Sequence, residues 1–221
     1  MKSNILYNGL ILVPLVCAIV ALVKYSYCFH VAVPVLCAVL IIFLSHKVIA
    51  DTKWLLVAAL AFSIAGDWML KQRNGQTLMF VYGIALFFIA HAGFLLFCLK
   101  NGKIHLRLLL VSVLGYGIFF FSQLLPAIGD WVLSASVFVY MLISCFSLAG
   151  AYGLRLPVLS RRLFFAGIAC IVFSDTLIAC CEFLNSCGLY HYVMMPTYYA
   201  AHIFITAAVI YRSSISKELS P

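Results

Sequence analysis

The stretch that decides the fold is WLLVAALAFSIAGDWML, residues 54–70, in which one acid, Asp67, interrupts an otherwise apolar run. A second acid, Asp175, stands in a similar stretch, GIACIVFSDTLIA. An acid inside a membrane-spanning helix costs about 2.5–3.5 kcal/mol on insertion scales, and it usually marks a functional site. A histidine follows each acid on the next apolar run, His91 after Asp67 and His202 after Asp175. The pattern predicts a membrane enzyme whose site contains both acids.

The composition excludes a soluble protein. Of the 221 residues, 66% are hydrophobic and only 9% are charged, with a mean hydropathy of +1.16, whereas a soluble domain carries about 25% charged residues. The net charge of +8 does not indicate nucleic acid as a partner, because the basic residues lie between apolar runs rather than along one face. The cysteines show no Cys-x-x-Cys pair and no zinc-like Cys/His spacing, so we expect no metal and no cofactor.

Eight apolar runs approach the length of about 20 residues that a helix needs to cross a bilayer. They lie at about 5–23, 29–45, 54–70, 78–99, 106–124, 131–150, 163–184 and 192–211. The runs are continuous rather than alternating, which favours helices over the strands of a membrane β-barrel. The connections are short and polar, and the first run has no signal-peptide cleavage site after it. We predict an all-α integral membrane protein with eight transmembrane helices in a single transmembrane domain, residues 1–221.

The basic residues predict the orientation of the helices. Eleven lie at the amino terminus or in every second connection after it, and three lie on the opposite side. The first group is Lys2, Lys47, Lys53, Lys100, Lys103, Arg107, Arg155, Arg161, Arg162, Arg212 and Lys217, and the second is Lys24, Lys71 and Arg73. By the positive-inside rule, both termini should be cytoplasmic.

This orientation predicts that the two acids and the two histidines converge. Asp67 falls about one turn before the outer end of its helix, Asp175 a little beyond the middle, and His91 and His202 near the middle. We therefore expect all four in one outward-opening cavity. A faint internal repeat agrees, since a small residue and an acid are followed by F-F-x-A-H in one half and by Y-Y-x-A-H in the other. The repeat would be a 4+4 parallel pseudo-repeat.

Ser63, Asp67 and Lys71 recur every four residues and share one helix face. One interpretation is an Asp67–Lys71 ion pair that only stabilises the helix end. The other is an acid below a basic rim, in which Lys71 and Arg73 bind a lipid phosphate.

The remaining candidates lie on the fourth, seventh and eighth runs. His91 shares a face with Gly83 and Phe87, and it is either a satisfied core histidine or a partner of an acid. Asp175 has no basic neighbour in sequence, so it must find a partner across helices or be held protonated by desolvation. Glu182 shares its face and is expected at the rim, where solvent satisfies it.

On the eighth run, Tyr198, His202 and Thr206 share a face, with Tyr199 beside them. Tyr198, Tyr199 and His202 are candidate substrate-binding residues, although tyrosines near a membrane boundary are usually interfacial anchors. Cys28 and Cys187 fall in loops on one side, where either a disulfide or two free thiols would fit.

The motifs GDWML, G-x-x-x-F-x-x-x-H, FSDTLIA and YYAAH, in this order on eight spans, resemble the YhhN/lysoplasmalogenase family. The resemblance covers nearly the whole chain. It implies hydrolysis of the vinyl ether bond of lysoplasmalogens to a fatty aldehyde and a glycerophospho-alcohol, with Asp67 and Asp175 as the two essential acids. It also implies a lysophospholipid substrate, membrane lipids as partners and a multi-pass protein of a bacterial inner membrane.

The chemistry of that reaction fits two carboxyl groups. Protonation of the outer vinyl carbon gives an oxocarbenium ion, to which water adds, as at the carboxyl pairs of glycosidases. We expect Asp175 to be the protonated acid and Asp67 the ionised partner, or the reverse, with catalytic support from His91. The main alternative is a proton-coupled transporter of small molecules or lipids that uses the same buried groups. An intramembrane aspartyl protease and a purely structural protein are weaker alternatives, and the oligomeric state is not predicted.

Overall fold

The computed structural model describes residues 2–24, 27–45, 51–188 and 190–218, and side chains from Gly9 to Tyr211 within these ranges except Tyr190 and His191. In this part of the chain the fold is all-helical and contains no strand, as predicted. The helices are α1 Lys2–Lys24, α2 Tyr27–Leu44, α3 Lys53–Gln72, α4 Thr77–Asn101, α5 Leu106–Ala127, α6 Trp131–Tyr152, α7 Val158–Leu184 and α8 Tyr190–Glu218. Of the basic residues that predict the orientation, Lys47 and the side chains of Lys2, Arg212 and Lys217 lie outside the described residues.

Seven of these helices, α2 to α8, are long and apolar enough to cross a membrane. The described part of α1, Gly9–Lys24, is apolar but shorter. Large apolar side chains point away from the bundle, such as Phe43 at 78% exposure and Val23 at 72%. Such a surface suits lipid rather than water. The chain is therefore a multi-pass membrane protein in its architecture.

One helix boundary and one helix interior differ from the predicted runs. The helix α7 begins at Val158 rather than near 163, directly after Pro157, because the polar Ser160, Arg161 and Arg162 continue the helix beyond its apolar part. A π-helical turn, Phe120–Leu124, interrupts α5 just before Pro126. Proline has no backbone N–H to donate, which loosens the α-helical bonding in the preceding turn.

Close packing of α3 against α4 fixes how Asp67 is presented. A Cβ on Gly66 would lie 3.0 Å from the Phe87 ring, and a Cβ on Gly83 would lie 2.8 Å from Leu70. Each helix therefore receives a large side chain of the other at a glycine. This contact sets the rotation of α3 and turns Asp67, next to Gly66, toward α2 and α8.

Candidate functional site

Asp67 lies in a cluster of hydroxyl and imidazole groups supplied by α2 and α8. Tyr198 donates a hydrogen bond to Asp67 Oδ2 at 2.6 Å, and His30 Nε2 lies 3.1 Å from the same oxygen. His30 Nδ1 in turn lies 2.9 Å from the Tyr199 hydroxyl oxygen. The Asp67 side chain is 13% exposed. A largely buried carboxyl is thus bonded to Tyr198 on one side and, on the other, to a chain formed by His30 and Tyr199.

Asp175 has a cluster of the same composition, supplied by α4 and α6. Tyr140 donates a hydrogen bond to Asp175 Oδ2 at 2.5 Å, and His91 Nε2 lies 3.4 Å from that oxygen. Asp175 is 12% exposed and His91 is 1% exposed. The predicted need for a partner across helices is therefore met by Tyr140 and His91. His91 contacts an acid, as one interpretation of its position predicts.

The neighbours of Asp175 in sequence form separate hydrogen bonds. Ser174 donates to the Met194 carbonyl oxygen at 3.2 Å. Thr176 donates to the Val172 carbonyl oxygen at 2.7 Å, and its hydroxyl lies 2.9 Å from that of Tyr116. Neither side chain forms a hydrogen bond with the Asp175 carboxyl, whose shortest contact is the Tyr140 hydroxyl.

A cavity of about 710 Å³ opens beside Asp67. Apolar and aromatic side chains form most of its wall, His30 and Tyr199 line it together with Asp67, and Lys71, Arg73 and Glu182 supply further charges. Its volume lies within the range of about 300–1,000 Å³ typical of small-molecule sites. It is large enough for part of a lipid.

Asp175 does not line this cavity and instead borders two small ones of about 50 Å³ each. Leu70, Phe80 and Ile178 line both the large cavity and one of the small ones. The prediction of one shared cavity is therefore wrong, because these three apolar side chains fill the space between the acids. The two acids nevertheless border neighbouring cavities, which adjoin at these side chains.

The charged residues of the cavity are arranged differently from the prediction. Lys71 Nζ lies 3.6 Å from the centroid of the Tyr27 ring, and no ion pair joins it to Asp67 within the described residues. Arg73 forms an ion pair with Glu182. Glu182 is 30% exposed, and it has a protein partner in Arg73 as well as access to solvent, because the ends of α3 and α7 meet at the cavity. Lys71 keeps its ammonium group without a carboxylate partner in this part of the chain.

The three substrate-binding candidates on α8 differ in their position relative to the large cavity. Tyr199 lines the large cavity, whereas Tyr198 lies behind its wall, against Asp67. Both are buried inside the bundle, at 5% exposure for Tyr198 and 4% for Tyr199. His202 is fully buried with its ring against that of Tyr198, at a centroid distance of 4.4 Å.

The cysteine pairing also differs from the sequence alternatives. Cys187 forms a disulfide with Cys181 at the end of α7, and Cys28 is a free thiol. Cys181 precedes Glu182 and lines the large cavity. The disulfide therefore lies next to the charged residues rather than between distant loops.

Sequence reasoning missed His30 and Tyr140, which contact the two acids. His30 stands in YCFHVAVP and Tyr140 in VFVYMLIS, each a polar side chain in an apolar run. A lone polar residue in an apolar run indicates a buried partner, but the sequence does not reveal which helix the side chain faces. Among the described residues, no group of three His, Cys, Asp or Glu side chains is arranged to hold a metal ion.

Comparison with curated proteins finds no match, and neither does comparison with solved structures. A model of the YhhN family matches residues 26–209. The match extends from α2 to α8 and includes every member of both acid clusters. The chain therefore belongs to the YhhN family.

Proposed function

We propose that this protein is a membrane hydrolase that cleaves the vinyl ether bond of lysoplasmalogens, releasing a fatty aldehyde and a glycerophospho-alcohol. The observation that carries the proposal is the position of Asp67. A largely buried carboxyl with hydroxyl and imidazole partners lies on the wall of a 710 Å³ cavity, and a second such carboxyl borders the adjoining small cavity. Acid-catalysed hydrolysis of a vinyl ether needs a carboxyl group that can protonate the double bond, next to space for the hydrocarbon chain of the lipid.

The cavity fits the parts of a lysolipid. Its apolar wall suits a single hydrocarbon chain, and Lys71 offers an ammonium group to the phosphate. The vinyl ether of such a lipid lies just below the headgroup. Asp67 is one helical turn from Lys71 on the same face of α3, which places the carboxyl near that bond.

We assign the acid role to Asp67, the reverse of the assignment first favoured from the sequence, because Asp67 lines the cavity and Asp175 does not. Asp67 gives its proton to the outer vinyl carbon, which leaves an oxocarbenium ion. The Asp175 carboxylate stabilises that cation by its charge, and His91 and Tyr140 keep this carboxylate in place. Water adds to the cation, and the hemiacetal collapses to aldehyde and alcohol.

We also propose that α1 completes eight spans with both termini cytoplasmic, arranged as two parallel repeats of four helices. The partners of the acids support the repeat. Asp67 on α3 is contacted from α2 and α8, and Asp175 on α7 from α6 and α4. A shift of four along the helix order exchanges the helices of one set with those of the other, while the histidine and the tyrosine change places.

The test is incubation of the purified full-length protein with three lysolipids that share headgroup and chain length. One has a vinyl ether, one an ester and one a saturated ether. We expect aldehyde release from the vinyl ether alone. Release of fatty acid from the ester, or no turnover of any lipid, would contradict the proposal.

Variants connect the reaction to the acids. Asp67→Asn and Asp175→Asn should each abolish turnover, and Asp51→Asn, which alters an exposed acid between α2 and α3, should leave it unchanged. Melting temperatures in detergent show whether each variant is folded. Retained activity in both site variants would end the proposal.

A proton-coupled transporter is the second candidate. The observation that favours it is the apolar partition of Leu70, Phe80 and Ile178 between two cavities, each bordered by an acid. A transporter of this kind would move protons across vesicle membranes with its substrate and release no aldehyde. A pH-sensitive dye inside proteoliposomes therefore separates it from the hydrolase.

A further inference from the structure

His30 and Tyr199 are polar, line the large cavity and are not used by the reaction as described so far. His30 joins Tyr199 on one side and Asp67 on the other, at 2.9 Å and 3.1 Å. Both distances are within hydrogen-bonding range, so the imidazole bridges the hydroxyl and the carboxyl through its two ring nitrogens. One end of this chain is the group assigned as the acid.

Hydrolysis of a vinyl ether leaves the acid without its proton. Asp67 transfers one proton to carbon, and the water that adds to the cation must lose one proton. Each turnover therefore ends with a proton to remove near the reacting carbon and a proton to replace on Asp67. A path between these two places would complete the cycle.

We propose that Tyr199 and His30 form a proton relay that returns the proton of the attacking water to Asp67. The relay rests on the proposed function. The Tyr199 hydroxyl accepts a proton from the water while its own proton passes to His30 Nδ1. The Nε2 proton of the resulting imidazolium passes to Asp67 Oδ2. The second hydrogen of the water stays on the hemiacetal and leaves with the glycerol oxygen, so atoms and charge balance. The transfer leaves His30 protonated at Nδ1 instead of Nε2, and proton exchange with water in the cavity that His30 lines restores the starting tautomer before the next turnover.

Two features distinguish this relay from ordinary packing. Histidine exchanges protons readily near neutral pH and can do so through either nitrogen. The His91 side chain beside Asp175 lacks such an extension, because its Nδ1 has no hydrogen-bond partner among the described residues. The complete three-member chain occurs at the acid that faces the cavity.

The test compares His30→Ala, His30→Gln and Tyr199→Phe with the wild type. Since general acid–base groups contribute about 10²–10⁴-fold to rates, we expect kcat to fall by about 10²-fold or more in each, with little change in KM. Glutamine keeps an N–H near Asp67 but cannot relay a proton, so full activity of His30→Gln would overturn the relay. Tyr152→Phe, which removes a half-exposed hydroxyl on α6 outside the cavity lining, is the control with unchanged activity.

Chemical rescue separates proton transfer from loss of packing. Imidazole added to His30→Ala should restore part of kcat, because the cavity that His30 lines gives it access. Pyrazole, which has the same size but is a much weaker base, should not. Equal rescue by both, or by neither, would contradict a relay. Asp67→Asn should not respond to imidazole.

An infrared measurement tests the His30–Asp67 contact without turnover. The carboxyl absorption of Asp67 is identified as the band lost in Asp67→Asn, and it should shift in His30→Ala and His30→Gln. If wild-type protein releases no aldehyde, the proposed function fails, and the relay fails with it even if the band shifts. If the wild type is active and the band does not move, the relay alone is overturned.

Discussion

Removal of one hydroxyl tests whether the buried Asp175 supports the reaction as a carboxylate. Tyr140→Phe deletes the group that donates to Asp175 Oδ2 at 2.5 Å. The remaining partner, His91 Nε2, is 3.4 Å away, beyond the usual length of a strong hydrogen bond. A hydrogen bond to a charged group contributes about 1.5–3 kcal/mol. Most of that stabilisation of the carboxylate should be lost in the variant.

The expected effect on the rate follows from this energy. If the carboxylate stabilises the cationic transition state and loses about 2 kcal/mol of support, kcat should fall by about 30-fold. KM should change little, because Asp175 does not line the large cavity. Aldehyde release measured over a range of lysoplasmalogen concentrations gives both constants.

Tyr116→Phe is the matched control for this variant. Tyr116 also lies on the edge of a small cavity beside Asp175, but its hydroxyl contacts that of Thr176 at 2.9 Å. Its loss removes a buried hydrogen bond without touching a carboxylate. Activity within twofold of the wild type in Tyr140→Phe, with Asp175→Asn inactive, would refute the reasoning.

Three further perturbations address packing, the cavity charges and the disulfide. Gly66→Val should lower the free energy of unfolding by about 1–3 kcal/mol, because its Cβ would lie 3.0 Å from the Phe87 ring. Thermal stability in detergent measures this loss, and Gly115→Val, whose Cβ would point into open space, should show none. Lys71→Met should raise KM for a phosphate-containing lysolipid and leave kcat nearly unchanged, and an unchanged KM would contradict phosphate binding by this residue. Cys187→Ser should leave one additional thiol open to alkylation without prior reduction, as counted by mass spectrometry, and no additional label would contradict the disulfide.

The sequence predicts the helical membrane architecture because long apolar runs have few alternatives in lipid. Its helix positions agree with the structure except at ends such as Val158, where polar residues extend α7. Asp67 and Asp175 were identifiable because an acid in an apolar run costs insertion free energy whichever direction its side chain points. These statements depend on composition along the chain and require no knowledge of which helices touch.

The partners of the acids could not be predicted in the same way. Tyr198 resembles an interfacial tyrosine in sequence, Tyr140 is an isolated tyrosine in the middle of an apolar run, and His30 has no acid near it. Their roles depend on how each helix is rotated, and contacts such as the Phe87 ring on Gly66 determine that rotation. The prediction of one shared cavity was wrong for a related reason. The side chains between the cavities of the two acids are apolar residues that nothing in the sequence distinguishes from their neighbours.

The energies of the two acids bear on whether they serve structure or chemistry. A buried acid costs about 2.5–3.5 kcal/mol on insertion scales, and one hydrogen bond from a tyrosine to a carboxylate returns about 1.5–3 kcal/mol. For Asp175, whose second partner is 3.4 Å away, the two amounts nearly cancel, so this acid contributes little net stability to the bundle. An apolar residue at either position would avoid the cost and need no partner. An acid that stabilises so little, yet occupies a tyrosine and a histidine from two other helices, fits the proposed proton chemistry better than a role in helix association alone.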